Sequence, residues 1–196
     1  VVEVSMSLPV VGAAYQLRYT VNGSGKIQVE AFYKPEKEKI PLMPKFGMRM
    51  RLPSFMDYVK WYGRGEFENY PDRKTAALVG CYATDLNSFV TDYAFPQDNA
   101  NRCDIRWFSL NDKAGLTVKV TGLQPLCFRV WPYGEEDLEK NRHAYELPVR
   151  DYVNVNIDLN IHGVGGADSW GARTLDEYTI DGNQAYYYGY LMEYSD

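Results

Sequence analysis

The stretch Tyr152-Val-Asn-Val-Asn-Ile-Asp-Leu-Asn-Ile-His162 decides the fold class of this chain. Apolar and polar side chains alternate along it without interruption. The apolar set is Val153, Val155, Ile157, Leu159 and Ile161, and the polar set is Asn154, Asn156, Asp158 and Asn160. A period of two places the sets on opposite faces of a β-strand and is incompatible with an amphipathic helix. The stretch therefore predicts a half-buried strand.

Shorter runs on either side show the same alternation. Residues 15–20 and 26–32 flank Val21-Asn-Gly-Ser-Gly25, which is a strong hairpin signal. Further strands are predicted at residues 2–6, 46–52, 57–62, 115–120 and 185–194. One short helix is predicted at residues 135–142, because it begins with acidic and ends with basic side chains. Many short strands separated by turns predict an all-β antiparallel β-sandwich, with residues 1–196 forming a single domain.

Composition is typical of a globular chain and excludes some classes of partner. The chain has 196 residues, of which 45% are hydrophobic and 24% are charged. A formal net charge of -5 argues against a nucleic-acid partner, which would require a clustered basic face. The sequence contains no apolar run long enough to span a bilayer, so no membrane partner is predicted.

Three cysteines, Cys81, Cys103 and Cys127, cannot all pair within the chain. Their spacing matches no zinc or redox motif, so we expect free and mostly buried thiols. Free thiols favour a reducing compartment such as the cytoplasm, and the periplasm is the alternative.

A first motif is Tyr62-Gly-Arg-Gly-Glu-Phe-Glu-Asn-Tyr-Pro-Asp-Arg73. One interpretation makes Glu66 and Glu68 a catalytic pair, since retaining glycosidases use two carboxyl groups about 5–5.5 Å apart. Nothing in the motif would separate the two pKa values, as a division of roles requires. We therefore favour a structural interpretation, in which the glycines allow a bulge or turn and Asp72 and Arg73 hold a proline turn.

A second motif is Gly163-Val-Gly-Gly-Ala-Asp-Ser-Trp-Gly171. Its glycines suggest a phosphate-binding loop, but such a loop leads into a helix and this motif does not. A tight turn after the long strand is favoured instead, with Trp170 at the tip of the loop. An isolated tryptophan is more often part of a core than of a binding site.

The histidines, His143 and His162, are not surrounded by His, Asp or Glu at ligand spacing. No serine or cysteine lies in the context of a nucleophile. The residues alone therefore predict no metal site and no nucleophile.

In this order, the two motifs resemble those of the C-terminal small-chain β-sandwich domain of the β-galactosidases of glycoside hydrolase family 2. The resemblance continues through Phe95-Pro-Gln-Asp-Asn-Ala-Asn-Arg102 and Asp104-Ile-Arg-Trp107. The chain departs from the family at Ala100, where glycine is usual, and at Ala167, where an acidic residue is common.

The resemblance implies a sandwich of the supersandwich type, similar to galactose mutarotases, that lacks the opening strands of the family's domain. Trp170, with Asp168 and Ser169, would form one wall of a galactoside site. Structural or interface roles are implied for Glu68, Asn69, Asp72, Arg73, Arg102 and His143.

The implied parent is a β-galactosidase that hydrolyses terminal β-galactosides with retention. Its two catalytic glutamates would lie on a (β/α)-barrel outside this chain, so the resemblance implies no catalytic residue here. It also implies no cofactor in this domain, with the family's Mg and Na ions bound elsewhere. The expected partners are the barrel domain, the β-galactoside and further copies of the protein. Two alternatives stay open, namely an independent carbohydrate-binding or mutarotase-like module and a purely structural interaction domain.

Overall fold

A computed structural model of the chain describes residues 1–166 and 168–195, so the departure at Ala167 lies outside the described residues. The ten strands are β1 (Val2–Leu8), β2 (Ala13–Val21), β3 (Ile27–Pro35), β4 (Lys45–Pro53), β5 (Tyr58–Arg64), β6 (Val79–Asp85), β7 (Arg102–Asn111), β8 (Thr117–Trp131), β9 (Tyr152–Ile161) and β10 (Tyr186–Ser195). Two short helices, α1 (Leu86–Phe89) and α2 (Glu135–Lys140), and two single 3-10 turns complete the described structure.

All ten strands belong to one antiparallel sheet, which confirms the predicted all-β class. Its main path runs β1-β2-β3-β10-β8-β7-β5-β6, and β9 joins β8 on one side and β4 on the other. The long strand β8 makes this branching possible. Its first part pairs with β10, and its last residues, 127–131, pair with β9. Because β8 has both sets of neighbours, β9 and β4 form a second layer.

Aromatic packing joins the two layers. Phe46 of β4 is buried, and its ring lies within 6.1 Å of four tyrosine rings of the other layer. These rings belong to Tyr15, Tyr33, Tyr186 and Tyr188. The Tyr188 hydroxyl also donates a hydrogen bond to the Ile157 carbonyl oxygen of β9 at 3.3 Å. The sheet therefore closes into a sandwich whose core is rich in aromatic rings.

Strand β9 differs from its prediction, because it is buried on both faces and not on one. Residues 153–158 are all buried, including Asn154, Asn156 and Asp158 of the polar set. Arg49 of β4 lies opposite Asn156, and its guanidinium pairs with Glu136 of α2 at 3.2 Å. Helix α2 thus contacts the layer on its polar side. Alternation in a sequence shows that two faces differ in chemistry, but it does not show that the polar face meets solvent.

Two strands and half of a third were not predicted. Strand β6 contains Gly80, and glycine is disfavoured inside strands. In β7, the alternation is interrupted where the pairing register shifts between Arg102 and Trp107. The last part of β8 is buried on both faces and, unlike β9, carries apolar residues on both of them apart from Arg129, so it lacks alternation. The helix predicted at 135–142 ends two residues earlier, and α1 adds one turn capped by Asp85. None of the described helices has the length and apolar character needed to cross a membrane.

The packing of Phe46 yields a stability prediction. Phe46→Ala removes a buried ring from the contact between the layers, so we expect a loss of about 3–5 kcal/mol in the free energy of unfolding. Urea unfolding followed by tryptophan fluorescence measures this loss. Phe55→Ala is the matched control, because the Phe55 side chain is 54% exposed. Equal losses for the two variants would show that Phe46 does not hold the layers together.

Candidate functional site

The two motifs meet in space, although they lie far apart in the sequence. The Asp72 carboxylate accepts a hydrogen bond from the Gly165 backbone N–H at 2.5 Å. A Cβ atom on Gly163 would lie 2.8 Å from Asp72 Cγ, and one on Gly165 would lie 2.9 Å from its Oδ2. Glycine at 163 and 165 therefore lets the second loop lie directly against Asp72. Asp72 was expected to hold its own proline turn, and it holds the other loop instead.

Glu68 is the buried centre of the first motif. Its carboxylate accepts hydrogen bonds from Arg73 Nη2 at 2.6 Å, from the Ala100 backbone N–H at 2.7 Å and from the Tyr93 hydroxyl. The Arg73 guanidinium also lies 4.9 Å from the centre of the Tyr70 ring. Burial acts to raise the pKa of Glu68, but the three hydrogen bonds outweigh it and hold that pKa below its usual value. Glu68 is therefore held as a carboxylate by its own neighbours.

Ala100 keeps the backbone conformation that glycine would favour. Its φ angle is 63°, in the left-handed region. An L-residue in this region costs about 1–2 kcal/mol, and the bond from its N–H to Glu68 is made from this conformation. Ala100, which stands where the family usually has glycine, therefore adopts a conformation that glycine would take without this cost.

Asn69 ties the first motif to strand β7. Its side-chain oxygen accepts from the Cys103 backbone N–H at 2.9 Å. Its backbone N–H donates to the Asn101 carbonyl at 2.7 Å, and the Asn101 side chain donates back to the Asn69 carbonyl at 2.7 Å. The motif is therefore rigidly attached to the sheet next to the point where Asp72 holds the second loop.

A buried ionic chain runs beneath the two motifs. Arg129 of β8 has no exposed surface, and it forms ion pairs at 3.1 Å with both Asp98 and Asp158. The Tyr70 hydroxyl donates to Asp98 at 2.7 Å, so the chain reaches the first motif. Within residues 1–166 and 168–195, the guanidinium nitrogens and Asp158 Oδ2 have no partner in hydrogen-bond geometry. The side-chain amide of Asn154 is likewise unpaired. The polar face of β9 is therefore shielded from solvent together with the Arg129 guanidinium.

Burial and neighbouring charges act against each other on the pKa values of Arg129 and Asp158. Burial acts to lower the pKa of Arg129, but Asp158 and Asp98 outweigh it and hold that pKa above its usual value. Burial raises the pKa of Asp158 to about 6, against the attraction of Arg129. The raised pKa of Arg129 favours its charged form, whereas the raised pKa of Asp158 favours its neutral form.

Two adjacent cavities open over the buried ionic chain. They share Gln97, Asp98 and Val164 as lining residues. The first cavity has a volume of about 740 Å³, and its walls include Trp131 and His162. The second has a volume of about 560 Å³ and lies between the motifs; it is lined also by Tyr70, Arg73, Tyr93 and Gly165. The motifs and the buried ionic chain therefore border one continuous depression.

Trp170 lies at the tip of the second loop and is 93% exposed. The loop around it is shaped by Asp168, whose Oδ1 accepts from the Trp170 backbone N–H at 2.7 Å and from the Ala172 N–H at 3.2 Å. Ser169 is also exposed. The loop thus presents an indole to its surroundings while the backbone beneath it is held by side chains.

The other predicted residues lie outside this depression. Arg102 is buried in the core, with its guanidinium 4.4 Å from the centre of the Phe89 ring, and burial lowers its pKa to about 10. His143 stacks on the exposed ring of Tyr145 at 5.2 Å between centroids. It begins the 3-10 turn after α2, where Glu146 accepts from its backbone N–H at 3.0 Å.

The candidate catalytic pair is not assembled. Glu66 is exposed in a loop beyond the end of β5, whereas Glu68 is buried against Arg73. Across the residues that the structure describes, there is no group of three or more His, Cys, Asp or Glu side chains placed to hold a metal ion.

Sequence reasoning missed Arg129, Asp98 and Asp158 as a set. One signal was available, because Arg129 interrupts the otherwise apolar stretch Leu126-Cys-Phe-Arg-Val-Trp131. A charge within such a stretch indicates a buried ion that needs a counter-charge. Which carboxylates supply it depends on β9 and on the loop before β7, and no local pattern reports that.

The Glu68 network yields a pH-dependent prediction. Glu68→Gln removes the charge that three donors address, so we expect a loss of about 2–3 kcal/mol in the free energy of unfolding at pH 7. Because the pKa of Glu68 is lower in the folded than in the unfolded chain, its contribution is complete above the ordinary value of 4.5 and disappears as the pH falls through the lower folded-state pKa. Urea unfolding of both proteins at several pH values tests this.

Glu66→Gln is the control, since it removes a carboxylate of the same motif from an exposed position. We expect a change within about 0.5 kcal/mol. A difference between wild type and Glu68→Gln that stays constant from pH 7 to below 4 would contradict the ionic role of Glu68.

Comparison with known proteins identifies the family of this chain. The profile of the family described as beta galactosidase small chain matches residues 1–192. The chain is 34% identical over 186 residues to a β-galactosidase of Priestia megaterium, covering 95% of this chain and 18% of that protein. It is 37% identical over 173 residues to a β-galactosidase of Pseudoalteromonas haloplanktis, covering 88% of this chain and 16% of that protein. The chain therefore spans less than a fifth of these relatives.

Among solved structures, the chain is similar to the GalM/aldose epimerase homologue from C. elegans. The match covers 98% of this chain and 64% of that chain, with a TM-score of 0.49 and 10% sequence identity. The family profile covers both motifs and the ionic chain between them. This chain belongs to the β-galactosidase small-chain family.

Proposed function

We propose that this chain is the non-catalytic C-terminal domain of a retaining β-galactosidase of glycoside hydrolase family 2, and that it completes the sugar site with an aromatic wall. Family membership and the β-galactosidase names of the relatives support the parent activity. The observation that carries the aromatic wall is the 93% exposure of Trp170.

An indole of this exposure is unusual, because a tryptophan gains free energy when its apolar surface leaves water. The Trp170 loop is nevertheless held in a defined shape by Asp168 and by the bond between Asp72 and Gly165. A prepared loop with an uncovered aromatic tip is suited to a surface that another domain and a ligand complete. Asp168 and Ser169 flank the indole and supply polar groups for sugar hydroxyls.

The free energy gained when a sugar covers the indole is of the size expected for a binding contact and not for a group that cleaves a bond. The apolar C–H face of a pyranose can cover about a third of the indole while the hydroxyl groups stay free for polar partners. Covering that area is worth on the order of 1.5–2 kcal/mol. This corresponds to about a 10–30-fold change in affinity.

The reacting carboxyl groups would belong to the parent's (β/α)-barrel. Retaining hydrolysis of a β-galactoside needs an acid/base and a nucleophile about 5–5.5 Å apart. Within this chain, Glu68 is neutralised by Arg73, and the exposed Glu66 has no such companion in its motif. We therefore assign both glutamates of the mechanism, and the family's Mg and Na ions, to other parts of the parent protein.

The depression beside the second loop is the proposed contact for the barrel. Its partly exposed Arg73 and Asp98 offer both signs of charge next to apolar Val164. Self-association is proposed at β1, an edge strand whose Val2, Val4 and Met6 are exposed. Glu68 and Asn69 would then support the depression from below, and Arg102 and His143 would have structural roles elsewhere in the domain.

The aromatic wall is tested in the full-length protein. Trp170→Ala should raise KM for a nitrophenyl β-galactoside about 10–30-fold, and Trp170→Phe should raise it less, because a smaller aromatic face remains. Tyr145→Ala is the control, since this exposed aromatic lies on a different loop. Unchanged kinetics for Trp170→Ala would contradict the aromatic wall and favour a purely structural interaction domain.

The positioning role of Asp72 is tested by a double-mutant cycle. Asp72→Ala releases Gly165, so we expect a several-fold rise in KM through a displaced Trp170 loop. If Asp72 acts through Trp170, the double variant should be no worse than Trp170→Ala alone. Additive effects would show that Asp72 acts by another route.

The isolated chain separates the remaining alternatives. We expect it to leave a chromogenic galactoside intact, and hydrolysis by the chain alone would overturn the assignment of the catalytic groups. Galactose binding by the isolated chain, measured by calorimetry, would instead favour an independent carbohydrate-binding or mutarotase-like module.

A further inference from the structure

Two of the three cysteines lie side by side in the interior. Cys103 Sγ and Cys127 Sγ are 3.6 Å apart, although the residues are 24 positions apart in the sequence. Both side chains are buried, and they pack with Tyr70 and Ile161 in a small apolar cluster. Cys81, in contrast, is exposed.

The strand register explains this proximity. Strands β7 and β8 are antiparallel, with Arg102 opposite Phe128. Continuing this register by one residue places Cys103 opposite Cys127. Side chains of directly opposed residues have Cβ atoms about 4.5–5.5 Å apart, and a disulfide needs about 3.5–4.5 Å. These ranges meet at about 4.5 Å, and the 3.6 Å between the sulfurs shows that the two side chains already face each other.

The position of the pair connects it to the first motif. The backbone N–H of Cys103 donates to Asn69, and its sulfur lies 3.5 Å from the Asn69 carbonyl oxygen. The Asn101 amide also donates to this sulfur at 3.3 Å. A covalent link at Cys103 would therefore fix β7 to β8 directly beneath the segment that carries Asp72.

We infer that Cys103 and Cys127 form a structural disulfide when the chain folds in the presence of a disulfide oxidant such as oxidised glutathione. The thiolate of one cysteine attacks oxidised glutathione and releases one glutathione thiolate. The second cysteine then attacks the protein sulfur of the mixed disulfide and releases the other. Two protein thiols are oxidised, and one glutathione disulfide is reduced to two glutathione molecules.

The cross-link forms during folding and not afterwards. The hydrogen bond to Cys103 and then burial hold the pKa of Cys127 far above its usual value, so Cys127 is almost entirely a thiol in the folded chain. Both sulfurs are also buried, which keeps dissolved oxidants away from them. In the folding chain, the sulfurs are still accessible while the pairing of β7 and β8 brings them together.

Tryptic peptides of the full-length protein provide the test. Cleavage after Arg102, Arg106, Lys119 and Arg129 releases Cys103 in residues 103–106 and Cys127 in residues 120–129. The protein is refolded from denaturant with reduced and oxidised glutathione, or with reduced glutathione alone. It is then alkylated, digested and analysed by mass spectrometry without reduction.

We expect most of residues 103–106 to be linked to residues 120–129 after oxidative refolding, and both peptides to be alkylated after reductive refolding. The linked peptide should persist in Cys81→Ser and be absent from Cys127→Ser. Recovery of both peptides as alkylated thiols after oxidative refolding would overturn the proposal. So would a link from Cys81 to either of them.

Discussion

The burial of the Arg129 guanidinium is the constraint on which the arrangement of the site depends. A charge without solvent contact is tolerated only when opposite charges surround it, because desolvation costs several kcal/mol for each ion. Asp98 and Asp158 meet this requirement from two different parts of the chain, each at 3.1 Å. The pairing of Arg129 with both carboxylates therefore holds the loop before β7 against β9. It also explains why β9 has a polar face that is buried and not exposed.

The second loop depends on this arrangement through a short series of contacts. Asp98 accepts from Tyr70, which belongs to the first motif. The same motif contains Asp72, whose carboxylate holds Gly165. Trp170 lies five positions further along the loop, at its exposed tip. The buried charge thus supports the position of a side chain that it never touches. A hydrophobic core alone would not define the position and orientation of such a loop, because the hydrophobic effect is not directional.

Local pattern was sufficient for much of the sheet and insufficient for its interior polar groups. The alternation of residues 152–162 predicted a strand, and the strand is present as β9. The same alternation predicted one exposed face, which was wrong, because the neighbours of Asn156 and Asp158 come from β4 and β8. The second half of β8 was missed because both of its buried faces are apolar except at Arg129, so its sequence shows no period of two. Arg129 was visible only as a charge in an apolar stretch.

The sequence by itself determined the all-β class, most of the strands and the membership of the β-galactosidase small-chain family, because alternation and short motifs are properties of consecutive residues. Only the tertiary structure decided that the two motifs touch through Asp72 and Gly165, and that the Glu68 carboxylate pairs with Arg73. It also decided that Trp170 is exposed and not part of the core. These properties depend on which distant segments become neighbours when the sheet branches at β8, and no window of sequence contains that information.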